Sequence, residues 1–343
     1  MSDFNTETTE IETISLPDIL TPCTGLNSIL AKDGGFRRGE LVVIASLPTG
    51  QLGRRLLTDL HIGCGLVNKP HLIDNTRKPL VVHITCVPDV KAHFNFVSER
   101  LSAITGLENN SYLNDRLLKS GFKYRTIYIK DIEHYTVADL LKTLEELEEE
   151  GFELHQVTID GFEKMREVTE LSEPMYIRNL LCDLRGFFSS RKTLAILTLP
   201  IDNNAVDIIR CTGRDFIKGV SALGLYGRYN RIHQDVDCEL IITAELSNDD
   251  LMNVYPVVYC GKHRGRMSDV DVVKYAPESA TPVDIHLGDG FDDPEFIEAF
   301  QTALSNLPGS TAASLDSTLG ETNDLETLEG VMIRPYFEPN DNK

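Results

Sequence analysis

An α/β fold with a mostly parallel sheet is predicted from three features of the chain. Short apolar runs rich in Val and Ile alternate with segments of helical periodicity, which is the pattern of successive strand–helix units. The first runs are apolar throughout rather than alternating with polar residues, as expected for strands covered on both faces. The last runs, 238–244, 255–260 and 270–275, follow one another without intervening helices, so they predict an antiparallel edge. With 41% hydrophobic residues in 343, the chain can bury a sizeable core.

The elements follow in order. Residues 1–15 are acidic and predict a disordered N-terminus. Thr24-Gly25-Leu26 with Ile29 and Leu30 predicts a short amphipathic helix capped by Thr24 and ended by Gly34-Gly35. Residues 36–40 read as a turn and Leu41–Ala45 as a buried strand. The loop 46–53 leads to a helix over 54–64, with Gly65 as its C-cap. A strand at 80–85, a helix at 89–105 and a short strand at 126–129 come next. Over 136–150, Val137, Leu140, Leu141, Leu144 and Leu147 fall on one helical face. A strand at 156–159 ends at Asp160, followed by a helix at 175–190 and a strand at 193–198. These make one core over 16–275. Residues 276–343 predict an acidic, largely flexible tail, with one possible short helix at 293–304 and a Ser/Thr/Gly/Asp-rich linker at 305–330.

Charge narrows the partners. The formal net charge is −20. Residues 1–20 hold five acids and no base, and 276–343 hold fourteen acids against Arg334 and Lys343. The core is therefore close to neutral between acidic ends, which repel nucleic acid and suit basic protein partners. The seven cysteines are odd in number, widely spaced and without a CxxC pair. That argues against a disulfide framework and a zinc site, and for a reducing compartment. The nine histidines are equally scattered, and no metal site is expected. No apolar run reaches the roughly 18 residues of a membrane helix, and the N-terminus lacks the features of a signal peptide.

In such a fold, ligands bind at the carboxyl ends of the strands. The loop Pro48-Thr49-Gly50-Gln51-Leu52-Gly53 lies there and has the shape of a phosphate cradle before a helix. The triphosphate signature, GxxxxGK[ST], is not met. Arg54 and Arg55 stand where Lys and a hydroxyl belong. Arginine is planar and forked, so it does not thread a lysine's cradle, and Arg55 cannot coordinate Mg²⁺. The loop can keep the backbone path while lacking triphosphate chemistry.

Thr24–Leu30, Gly34–Ala45 and Pro48-Thr49-Gly50 together resemble the entry to the RecA-type ATPase core of DnaB-like replicative helicases, phage members in particular. The resemblance spans about 16–275. It implies a RecA-like three-layer αβα core with a mostly parallel central sheet and antiparallel edge strands. It makes Asp160 the family's Mg²⁺-ordering aspartate, although an Asp at a strand end is also a plain cap. It makes Lys262 and Arg264, in Cys260-Gly261-Lys262-His263-Arg264-Gly265, the cations that reach a neighbouring subunit's γ-phosphate, although the same residues also read as a basic turn. Leu184-Arg185-Gly186 matches the family's following helix.

The departures are equally specific. Thr85-Cys86-Val87-Pro88 stands where the family has its catalytic Glu, with Asp89 and Glu99 as conceivable substitutes. Leu199 stands where it has a sensor Gln. About 20 residues precede the core, which implies a chain without the primase-recruiting N-terminal domain. In relatives a linker helix there docks on the next subunit of a ring.

Two functions follow from the resemblance. One is a catalytically degenerate pseudo-ATPase, a structural or adaptor subunit in phage DNA replication or recombination, without nucleotide cofactor. The other is an active divergent helicase or single-strand-DNA-dependent ATPase using ATP and Mg²⁺. Either implies homo- or hetero-oligomers with RecA-like subunits and residence in the host cytoplasm. Single-stranded DNA would meet the region 200–235, where Arg210, Arg214, Lys218, Arg228 and Arg231 accompany Phe216, Tyr226 and Tyr229. Four acids there leave a mixed-charge loop as the other reading. The tail's Arg334-Pro335-Tyr336-Phe337 is either a docking segment for replication or recombination proteins or part of a solubilising tail.

Overall fold

The computed structural model describes residues 16, 18–30, 34–47, 52–86, 90–105, 121–132, 134–166, 168, 174–201, 220, 232, 235–246, 254–264, 266–267, 273–274, 327–328 and 331–335. The expected disorder at 1–15 and the short helix at 293–304 lie outside the described residues.

The strands are β1 (Leu41–Ser46), β2 (Lys78–Thr85), β3 (Lys123–Ile129), β4 (Phe152–Asp160), β5 (Leu194–Pro200), β6 (Cys238–Leu246), β7 (Val254–His263), β8 (Arg266–Met267), β9 (Val273–Lys274), β10 (Thr327–Leu328) and β11 (Val331–Pro335). The helices are α1 (Thr24–Ile29), α2 (Leu52–Val67), α3 (Val90–Thr105), α4 (Val137–Glu149) and α5 (Pro174–Arg191). They form one sheet in the order β10-β11-β3-β2-β4-β5-β1-β6-β7-β8, with β9 on β7. Strands β3-β2-β4-β5-β1-β6 run parallel, and β7 turns antiparallel against β6. The antiparallel edge therefore starts one strand later than the sequence pattern suggests, because β6 joins β1 in parallel.

Period-two alternation of fully apolar strands makes the three layers. Leu41, Val43 and Ala45 of β1, with Leu80, Val82 and Ile84 of β2, pack with α4 and α5 residues such as Leu140, Leu144, Leu181 and Leu184. Val42, Ile44 and Val81 face the other way and pack with Leu26 of α1, Leu56, Leu57 and Leu60 of α2, and Val97 and Leu101 of α3.

Two local expectations are corrected, and a strand is found within the tail. Thr24 is the first residue of α1; its N-cap is Cys23, which makes no side-chain cap bond. Helix α2 does not stop at Gly65, whose N–H donates to the Tyr124 hydroxyl at 2.7 Å, and it runs on to Val67. The tail is not wholly loose: Val331–Pro335 pairs antiparallel with β3, from Val331 opposite Ile129 to Pro335 opposite Arg125. The sequence pattern gave no strand there because five residues after a polar linker carry too little periodicity to score.

One irregularity places the site. Along the β2–β4 ladder, Leu80 pairs with Leu154 but Val81 pairs with Gln156, so His155 is an extra, bulged residue. A one-residue slip exchanges the faces of a strand. Leu154, Val157 and Ile159 thereby all enter the α4/α5 core. Gln156, Thr158 and Asp160 turn to the α2 side, where the Gln156 side-chain amide donates to the Leu60 carbonyl at 3.0 Å.

Candidate functional site

The site lies at the carboxyl ends of β1, β2 and β4, beneath the first turns of α2 and α3. Gly53 sets the closeness of α2 to β1. A Cβ there would stand 2.4 Å from Ser46 Oγ and 2.9 Å from Ser46 Cβ, so a glycine lets the helix start press onto the strand end. The next residue, Arg54, is thereby aimed along the strand ends. Its Nε is 3.2 Å from Asp160 Oδ2, with the two side chains 25% and 14% exposed. Its NH2 donates to His93 Nδ1 of α3 at 2.9 Å. The guanidinium also lies 5.5 Å from the centre of the Phe96 ring. Asp160 Oδ2 further accepts from the Thr85 hydroxyl of β2 at 3.2 Å. Four elements thus converge on one ion pair.

Behind it runs a ladder of imidazoles between α2, α3 and the sheet. His83 and His93 stack with ring centres 5.1 Å apart and planes 2° from parallel. His61 lies 5.1 Å beyond His83. The Thr158 hydroxyl donates to the Val82 carbonyl at 3.2 Å, so His83 Nδ1 donates to Thr158 Oγ1 at 2.8 Å. Arginine has no acceptor, so His93 Nδ1 accepts from Arg54 and its proton sits on Nε2. The rings are neutral for physical reasons. Burial, then the Arg54 charge, pushes His93 down to about 3. Burial, then His93, takes His61 to about 3. Burial foremost, then the neighbouring His61 and His93 rings and Arg54, holds His83 well below the usual imidazole range.

Gly161 follows Asp160 in the left-handed region, at φ 85°. A Cβ there would stand 2.2 Å from Cys86 Sγ. Burial foremost pushes the Cys86 thiol up to about 11, which leaves it protonated and unreactive at neutral pH.

Of the residues read from the sequence, the structure brings Gly53, Arg54 and Asp160 together. Arg55 lies in the first turn of α2. Pro48, Thr49 and Gly50, the Val87 and Asp89 positions, and Arg210, Arg214, Lys218, Arg228 and Arg231 lie outside the described residues. Glu99 is exposed on α3. Leu199, read from the sequence as standing where the family has a sensor Gln, is buried in the α4/α5 core.

Lys262 and Arg264 do not join the Asp160 cluster. Lys262 is in the last residues of β7 and Arg264 directly follows that strand, whose end pairs with the beginning of β6. From β4 to β7 the sheet spans four strand spacings, about 19 Å at ordinary spacing. Arg264 is held within its own chain: Nε donates to Glu40 at 2.9 Å, and NH2 donates to Asp18 at 3.0 Å and to the Gly35 carbonyl at 3.2 Å. Its backbone is left-handed, at φ 52°. Burial raises the Glu40 pKa, but the His263 ring 3.5 Å away and hydrogen bonds from the Arg37 N–H and Arg264 outweigh it and leave it lowered. Lys262 Nζ donates to the Val236 carbonyl at 2.7 Å. Burial, then Arg185, lowers its pKa.

Sequence reading missed Thr85, His83, His93 and Phe96. The available signal was polar residues inside otherwise apolar strands, His83 between Val82 and Ile84 and Thr158 between Val157 and Ile159.

With this geometry in hand, the family follows. A family model described as divergent DnaB-like ATPase matches residues 9–276. The chain belongs to that family, and its α/β sheet is consistent with a RecA-like fold. Comparison with curated proteins gives no match. Among the described residues, no group of three His, Cys, Asp or Glu side chains is placed to hold a metal ion. No helix among them is long and apolar enough to cross a membrane.

Proposed function

We propose that this DnaB-like protein is a pseudo-ATPase, a structural or adaptor subunit in phage-type DNA replication or recombination. One observation carries the reading: the Arg54 guanidinium stands 3.2 Å from Asp160, where the family's carboxylate would order Mg²⁺. A fixed internal cation there competes with a divalent ion for the same oxygens. The surrounding residues add to the misfit. Arg55 has no hydroxyl to offer a metal, and Leu199 cannot sense a γ-phosphate. These side chains do not fit a magnesium–triphosphate group. Loss of a general base or of a phosphate clamp costs orders of magnitude in rate each.

The role left to such a subunit is assembly. Lys262 and Arg264, far from Asp160 in the same chain, would serve a nucleotide held by an active RecA-like neighbour. Arg264 would have to exchange Glu40 and Asp18 for that phosphate. Acidic tails would engage replication or recombination proteins, and single-stranded DNA would meet the 200–235 region.

The test is phosphate release by the purified full chain with ATP, Mg²⁺ and single-stranded DNA. The reading expects release no faster than a protein-free control. DNA-stimulated, Mg²⁺-dependent release would overturn it and establish a divergent helicase motor.

A further inference from the structure

We infer that the space between α2 and the strands β2, β3 and β4, one level below the Arg54–Asp160 pair, is an internal water site. Three buried polar atoms define it: Thr58 Oγ1 on α2, His83 Nε2 on β2 and Thr126 Oγ1 on β3. All three residues are 1% exposed. Among the described residues, none of the three atoms has a hydrogen-bond partner. Buried polar groups are nearly always bonded to protein or to ordered water, because an orphan keeps its whole desolvation cost.

The fold brings the three groups to one level. His83 stands in register with Thr126 on one side and with Thr158 on the other. Thr85 and Asp160 form the next row toward the strand ends. On α2, residues 54, 58, 61 and 65 are three or four apart and share one helical face. The partners of the other three show where that face lies. Arg54 sits on Asp160, His61 lies beside the His83 ring, and the Gly65 N–H meets the Tyr124 hydroxyl. The helix thus runs back along the strands from their carboxyl ends. From Arg54 to Thr58 it rises about 6 Å. From Asp160 back to Thr158 the strand covers about 6.6 Å. Thr58 is thereby carried over the row Thr126–His83–Thr158, between Arg54 and His61.

The chemistry of the three atoms selects water. His83 Nδ1 gives its proton to Thr158 Oγ1, so Nε2 is an acceptor only and calls for a donor. The two threonine hydroxyls can each donate and accept. An anion would meet the Nε2 lone pair. A divalent metal ion would lack ligands, since among the described residues no three His, Cys, Asp or Glu side chains are placed for one. Water donates to Nε2 and completes its usual complement of about three hydrogen bonds with the two hydroxyls. It joins α2 to β2 and β3 at the ring on which His93 of α3 stacks. A donor at Nε2 also favours the neutral imidazole, in the same direction as burial.

The test is water-to-protein cross-relaxation by NMR on the full chain, with protons kept at threonine methyl groups and histidine rings. Cross-peaks of long-lived water to the Thr58 methyl and to the His83 ring are expected, with ring nitrogen shifts that place the His83 proton on Nδ1. Absence of the His83 cross-peak overturns the inference, as does a His83 proton on Nε2. Thr58→Val keeps the side-chain shape and removes one partner. It is expected to hold the water about fivefold less tightly, the worth of one hydrogen bond, and so to weaken the His83 cross-peak. Thr126→Val, on a strand that suits valine, is expected to act in the same direction. A His83 cross-peak undiminished in both variants overturns the inference.

Discussion

Gly53 and Arg54 carry opposite demands on adjacent residues: one must have no side chain, the other a long and forked one. A methyl at Gly53 meets Ser46 at both Oγ and Cβ, so Gly53→Ala pushes α2 off β1. Overpacking of this kind costs about 1–3 kcal/mol. Urea unfolding of Gly53→Ala is expected to show that loss, and Ser46→Gly in the same chain is expected to recover most of it. An additive loss in the double variant would place the strain elsewhere. Arg54 was legible as a departure from the phosphate-binding signature. Its partner was not, because nothing in the sequence says which of two faces Asp160 takes. The bulge at His155 decides that, and it shows only when β4 is laid against β2.

At the scale of elements, α2 and α3 are tied by a buried pair. Arg100 Nε and NH2 donate to Asp59 Oδ1 and Oδ2 at 2.8 and 2.9 Å, and both residues are buried. Breaking such a pair leaves a buried charge and costs about 3–5 kcal/mol, whereas replacing both groups by apolar ones can be neutral. Asp59→Ala is therefore expected to lose about that much in denaturant unfolding, and Asp59→Leu with Arg100→Met to lose clearly less. Equal losses in the two variants would contradict the assignment.

Helix α4 is the element most legible beforehand. Its apolar stripe at 137, 140, 144 and 147 is buried, and Thr136 and Asp139 cap each other reciprocally. Its glutamates form a solvated face, with Glu145 and Glu148 meeting Arg191 of α5. Strand existence was legible from apolar runs, and strand order was not, since β2 lies between β3 and β4 for reasons of packing across the chain.

For the whole molecule, the buried imidazoles dictate an acid response. His61 and His93 titrate at about 3 in the folded chain and His83 well below the usual range, against about 6.5 when unfolded. Between those values the unfolded chain binds protons that the folded chain does not. Stability is thus fully present above pH 6.5 and falls as pH drops toward 3. The loss at pH 5 is on the order of 2 kcal/mol per imidazole. Glu40, whose folded pKa is depressed, adds a further loss only as pH falls below the ordinary carboxylate range. Urea melts at pH 7.5, 6 and 5 are expected to show a steady decline below 6.5, and a flat profile would mean that the ladder is solvated.

The same ladder backs the Arg54–Asp160 pair, and that pair is the centre of the account. The most direct measurement is calorimetric titration of magnesium ATP into the full chain. The account predicts no saturable heat, because a guanidinium already holds the carboxylate. Saturable binding that depends on Mg²⁺ would contradict it, and would mean that Arg54 leaves Asp160 to admit nucleotide.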